Sequence, residues 1–387
     1  MEASIKSHKL YFPNLNGLRA IGAITVLLYH VEFYRSLRNV PSHMWFPIAG
    51  KVGVALFFSL SGFLITSLLL TELGSTGTIR LKAFYKRRIL RIWPLYYLMV
   101  FLCFFIINRI PFYKIPDLSD GMYREITVAG VLNILFIVPN FTHWYIPYSD
   151  QRWSITVEEL FYLMQPALIR TFRKRTTLCI VFLFIVFSTN IFTLLVKWTN
   201  AGRVISPGVI SSIAVQLRYL GCIAVGCICS ILYFNRESVV KRFLFTKGVQ
   251  MATVAIVIAC TLFSFYVMNQ EEYVDLRIYC VFFSIIVLNA AMNPGTLIRL
   301  ENPVMDFLGK ISYGIYMYHM IGIGTAFGIA QMVTGEKSLQ DLILYPLSLG
   351  FSILLAWLSF TYFESFFLKL KKSPVFARMG GIKKQNI

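Results

Sequence analysis

The sequence predicts an all-α, polytopic membrane protein of about ten transmembrane helices, with one further re-entrant or interfacial segment. Three observations predict it. Of 387 residues, 57% are apolar and only 14% are charged, too few charges for a soluble surface at this size. Apolar runs of membrane length recur from end to end, separated by short polar turns. Lys and Arg collect in alternate turns, as they do in cytoplasmic loops.

In chain order the expected spans are Leu18–Tyr34, Val52–Leu73, Ile92–Ile107, Ile155–Ile169, Leu178–Val196, Val209–Phe234, Val249–Met268, Ile278–Met292, Ile311–Val333 and Leu342–Phe367. The first has no small-x-small cleavage site, carries His30 and Glu32, and leads into further spans, so it reads as a span and not as a signal peptide. Ile126–Phe141 is short and broken by Pro139, hence the re-entrant or interfacial reading. With the N-terminus inside, the greater part of the Lys and Arg falls on the inner face. This predicts a plasma (inner) membrane protein with both termini cytoplasmic: a membrane domain over 1–370 and a short basic tail over 371–387. If Ile126–Phe141 spans and Ile155–Ile169 does not, the charge count is unchanged. The side on which Trp153–Glu158 lies therefore stays open.

The net charge of +19 is spread in this loop pattern, which speaks for lipid and against nucleic acid. All seven cysteines lie in apolar runs and read as packing thiols. Cys222, Cys227 and Cys229 cluster, but no His or carboxylate stands near them, so no metal is expected.

Polar residues inside apolar runs are costly and point to function. Arg19 and His30 are eleven residues apart, nearly one helix face and about 16 Å along the axis. An imidazole there is either a structural donor to a backbone carbonyl or a general base, and position alone does not decide. The run Lys82–Pro94 brings Lys86, Arg87, Arg88 and Arg91 to the start of a helix. It reads as a positive-inside anchor with an aromatic belt, or as a phosphate clamp in which Arg88 and Arg91, at i and i+3, share a face. In Trp153–Tyr162, Ser154 is a candidate helix cap, and two adjacent carboxylates, Glu158 and Glu159, enter an apolar segment. Small residues in Phe57–Leu64 suit close helix packing. Ser312, Tyr316 and His319 form a polar stripe at i, i+4 and i+7.

Together these pieces resemble acyltransferase family 3 of integral membrane proteins over nearly the whole chain. The likeness is carried by the Asn14-x-x-Gly17-Leu18-Arg19-Ala20 start with His30, by Phe58-x-x-Ser61-Gly62-Phe63, and by Arg87-Arg88-x-x-Arg91-Ile92-x-Pro94-x-Tyr96. Trp153-Ser154-x-x-x-Glu158-x-x-Phe161-Tyr162 and Ser312-Tyr313-x-Ile315-Tyr316-x-x-His319 complete it. The resemblance implies transfer of an acyl group, usually acetyl from cytosolic acetyl-CoA, onto a hydroxyl of a surface carbohydrate. On that reading His30 and Glu158 are catalytic, with Arg19, Ser154, Tyr162 and His319 in support. Lys86, Arg87, Arg88 and Arg91 hold the coenzyme phosphates, and no metal takes part. His30 acts either as a base or as the carrier of a covalent acyl group. The sequence departs from the family pattern at Phe363-Glu364-Ser365-Phe366, where a proline is usual after the Glu. No esterase-like domain of the kind some relatives append is expected in these residues, and on that expectation a second transfer step outside would need another protein. The rival reading is a proton-coupled transporter or flippase using His30, Arg218 and His319. Donor chain length, acceptor and oligomeric state are not legible.

Overall fold

A computed structural model describes residues 11–37, 49–115, 147–198, 207–234, 239–266, 275–334 and 337–370. The expected re-entrant segment Ile126–Phe141 and the tail 371–387 lie outside the described residues. The described residues are helical, with no strand among them. The helices are α1 (Leu15–Leu37), α2 (Ala49–Thr76), α3 (Leu81–Phe101), α4 (Arg152–Thr171), α5 (Arg175–Trp198), α6 (Pro207–Phe234), α7 (Val239–Leu244), α8 (Lys247–Tyr266), α9 (Leu276–Met292), α10 (Pro303–Val333), α11 (Lys337–Leu358) and α12 (Ser365–Leu370). A π-helical turn over Leu102–Ile106 extends α3, and a second over Ser359–Glu364 joins α11 to α12.

Six stretches among the described residues are long and apolar enough to cross a membrane: Ala49–Thr76, Leu81–Arg109, Arg175–Leu195, Leu217–Phe234, Lys247–Ser264 and Leu342–Leu370. Apolar length alone thus does not confirm the expected count of about ten. Helix α9 is apolar but only 17 residues long. Helices α1, α4 and α10 have the length, but their Arg, Glu, His, Ser and Tyr lower the hydropathy. These polar helices converge on one another, and burial of the apolar helices varies widely. The apolar window of α5 is only 17% buried, against 72% for α2.

Helices α1 and α10 run parallel. Asn16 donates to Asp306 Oδ1 at 2.6 Å near their N-terminal ends, and Tyr34 meets Phe327 near the other. Asn14 takes φ 61°, a left-handed conformation that Asn tolerates. From there it donates to Ala290 O at 2.9 Å and accepts the Leu300 N–H at 2.7 Å, clasping the start of α1 to the α9–α10 connection. Gly17 and Gly309 allow the close approach here, since a methyl on either would collide with Leu300 or with the Asn16 backbone. Helix α10 begins with Asn302 accepting the Met305 N–H at 2.9 Å and Pro303 in the first turn. Helix α2 packs antiparallel to α1, with Gly50 against Tyr29 and Gly53 against Val26. It also crosses α6 where Gly62 meets the Ile223 carbonyl and Gly226 meets that of Ser59.

Candidate active site

Two polar clusters lie along the α1–α10 pair. The first is at the basic end. Arg19 of α1, Arg88 and Arg91 of α3, and Glu158 and Tyr162 of α4 share one electrostatic neighbourhood. Helix α4 enters from the opposite end to α3, so Glu158 comes down beside the arginines. Its Oε1 accepts from Ser61 at 2.8 Å and its Oε2 from Tyr162 at 3.1 Å. The neighbouring Glu159 turns to α3 instead, accepting from Trp93 Nε1 at 3.0 Å. Both carboxylates of the adjacent pair therefore have inward partners. Arg88 lies over the rings of Phe84 and Tyr162, 5.8 Å from each centroid. Arg91 also feels Glu364, in the π turn whose sequence departs from the family pattern. Neither Arg88 nor Arg91 makes a hydrogen bond or ion pair with a described residue, and Arg88 Nε is buried without a partner among them. Arg19 makes one bond, to Asn16 Oδ1 at 3.3 Å. Guanidinium donors left open inside a protein await an acceptor.

Arg87 stands apart. It pairs with Glu72 at 3.1 Å, and Glu72 also faces Arg80 at 3.7 Å. Lys86 is half-buried on the same helix. The structure thus gathers Arg88 and Arg91 with Arg19 and sets Arg87 at the rim.

The second cluster lies deeper along α1. His30 of α1 and His319 of α10 have ring centroids 4.7 Å apart. His30 Nδ1 lies 2.8 Å from Val26 O. A carbonyl only accepts, so Nδ1 carries the proton and Nε2 keeps its lone pair. His30, Arg19, Ser61, Glu158, Arg88 and Arg91 are each half-buried, not closed over. His30, Arg19, Glu158 and Arg88 are nevertheless surrounded by protein. That combination describes a cleft.

Ser154 does not cap α4, because the helix starts at Arg152 after Gln151. Its hydroxyl donates to Gln151 O at 3.1 Å and lies 2.6 Å from the Tyr316 hydroxyl, tying α4 to α10 one turn before His319. Gln151 Nε2 donates to Met317 O at 2.7 Å. The turn before α4 contains Tyr148 at φ 65°, a left-handed conformation rare for a bulky residue. The Tyr148 hydroxyl holds the Tyr113 carbonyl at 2.6 Å, and the turn delivers Asp150 into the field of His30 and Tyr316. Asp150, Gln151 and the pairing of Ser61 with Glu158 do not follow from the sequence motifs; only proximity to Trp153–Glu158 could have pointed to the first two.

The seven cysteines are free, and no group of three or more metal-ligating residues exists among the described residues. The donors present suit anions and acyl chemistry.

The family model for an acyltransferase domain, acyltransferase family 3, matches residues 12–361. The chain belongs to this family. Among its relatives is the O-acetyltransferase OatA of Staphylococcus aureus strain MRSA252, 26% identical over 402 residues, covering 95% of this chain and 60% of the relative. OatA of strain NCTC 8325 is 27% identical over 334 residues, covering 80% of this chain and 50% of the relative. The chain thus spans little more than half the length of these relatives. No solved structure matches it significantly. In this member of acyltransferase family 3 the five motifs divide their work. Asn14, Gly17 and Gly62 hold the frame, while Arg19, His30, Ser61, Arg88, Arg91 and Glu158 line the cleft, with His319 buried behind His30.

Proposed function

We propose that this acyltransferase moves an acetyl group from acetyl-CoA, bound at the basic end, onto a hydroxyl of a cell-surface carbohydrate. One observation supports the reading: Arg19, in the same charge cluster as the open guanidinium of Arg88, shares helix α1 with an imidazole whose Nε2 is free in a cleft, eleven residues or about 16 Å further on. An extended pantetheine arm bridges such a length. Arg88 and Arg91 take the coenzyme phosphates, with Lys86 and Arg87 at the rim, and Arg19 lies along the arm. The thioester reaches His30 Nε2, where transfer takes place. Glu158 keeps Tyr162 and Ser61 in place at the slot between the two clusters. The names of the OatA relatives support acetyl as the group and oxygen as its acceptor. The enzyme works in the plasma membrane with both termini cytoplasmic, as the distribution of basic residues supports.

The test is thiol release from acetyl-CoA by protein in lipid nanodiscs, paired with mass spectrometry of surface glycans from a deletion strain. His30→Ala should lower turnover by about 10²–10⁴-fold, the usual contribution of a positioned base or nucleophile, and leave folding intact. Wild-type protein that consumes no thioester, or a His30→Ala strain whose glycans carry normal acetylation, overturns the proposal. A transporter consumes no thioester.

A further inference from the structure

The family motif supplies two histidines, and the reaction as described so far uses one. His319 has the same arrangement as His30: its Nδ1 lies 2.6 Å from the Tyr316 carbonyl. Both rings are therefore fixed as the Nδ1–H tautomer, with the lone pair at Nε2. Their planes meet at 56°. The two sites differ in room. His30 is half-buried, whereas His319 has 0% exposure and its Nε2 has no partner among the described residues. A buried acceptor with no donor is a rare arrangement and marks a place where one arrives. Two equivalent bases side by side are redundant if one proton is to be moved. They become useful when one of them is occupied. The enclosed nitrogen is the poorer site for an acyl group, yet its ring lies 4.7 Å from that of His30, close enough to take a proton from a hydroxyl seated at His30.

We propose that the two imidazoles divide the transfer, His30 Nε2 receiving the acyl group and His319 Nε2 the proton of the acceptor hydroxyl. This rests on the acyl-transfer reading above. In the first step the His30 Nε2 lone pair forms a C–N bond to the thioester carbonyl carbon. The C–S bond breaks, and its electron pair leaves on sulfur as the coenzyme thiolate. His30 is then an acylimidazolium that still donates through Nδ1–H to Val26 O. In the second step the acceptor oxygen forms a C–O bond to the acyl carbon as its proton passes to His319 Nε2. The C–N bond breaks and its pair returns to His30. The His319 imidazolium gives its proton to the thiolate, so acyl-CoA and alcohol become ester and free coenzyme thiol. Asp150, whose charge acts on His30, stabilises the acylimidazolium stage. The acceptor hydroxyl thus supplies the donor that His319 Nε2 lacks.

The experiment uses full-length protein in nanodiscs with radiolabelled acetyl-CoA, mixed rapidly with and without membranes carrying the native glycan. Wild type should release about one thiol per protein without glycan and turn over with it. His319→Gln should keep the one-equivalent burst and lose at least 10²-fold in glycan-dependent turnover; His30→Gln should lose both. His319→Asn is read alongside, and melting temperature reports folding. On wild type, acid quenching and peptide mass spectrometry should find a hydroxylamine-labile acetyl on His30 and none on His319. A His319 variant that transfers at the wild-type rate overturns the division, as does one that melts like wild type and loses burst and turnover alike. An adduct on His319 also overturns it. Wild type that turns over with no burst sinks the division and leaves the acyltransferase reading standing, whereas the absence of any thiol release sinks that reading itself.

Discussion

The two ends of the α1–α10 pair solve opposite problems. At the basic end, Arg19, Arg88 and Arg91 come from two helices and are surrounded by rings and carboxylates that hold them without saturating them. At the imidazole end, two neutral rings are each tied by one nitrogen to their own helix, and the other nitrogen is left open. The first arrangement suits a large anion that binds and leaves; the second suits small displacements of charge in a dry place. A polar side chain inside a membrane protein can therefore be a handle or a reactive group. The difference is legible in whether its free atoms face a cleft or a neighbour.

Substitutions at the two ends should separate affinity from turnover. The largest effect is expected from Arg88→Gln with Arg91→Gln. Hydrogen bonds to a charged group are each worth about 1.5–3 kcal/mol. The pair should raise the acetyl-CoA concentration for half-maximal rate by about 10²-fold or more, with the maximal rate within a few fold. A fall in maximal rate alone would unite the two ends. Next comes the frame: Gly62→Ala drives a methyl into the Ile223 carbonyl and should cost about 1–3 kcal/mol, read as a lower melting temperature in detergent. Glu158→Gln places an amide against two donors and should lower coenzyme use about tenfold, whereas Glu159→Gln still accepts from Trp93 and should stay within about threefold of wild type. Ser61→Ala is the smallest, a loss of about 0.5–1.5 kcal/mol read as a two- to tenfold change in the same assay. Equal behaviour of the two glutamates would show that the split between them has no functional meaning.

Much of this was legible from residue order, and the reason is local. Arg19 and His30 share one helix, as do Arg88 and Arg91, so spacing alone places them together. What spacing cannot give is who arrives from elsewhere. Ser61 meets Glu158 across 97 residues of chain, and the Ser154–Tyr316 contact spans 162. Nor does spacing separate Arg87, one residue from Arg88, which a carboxylate on α2 draws to the rim. Six of the roughly ten expected spans pass on apolar length among the described residues, and the gap has a related reason. Helices such as α1 and α10 owe their places to polar neighbours, so a rule built on apolar length undercounts those that carry the polar clusters.

The clasp at the start of α1 acts at a distance. Because α1 and α10 point the same way, sliding one past the other by a single residue would shift the ring pair by about 1.5 Å and swing one imidazole through about 100°. Asn14 and Asn16, with their bonds to Ala290, Leu300 and Asp306, set the zero of that scale. The alignment of the two imidazoles is thus ruled from the far end of the helix, by a pair of asparagines.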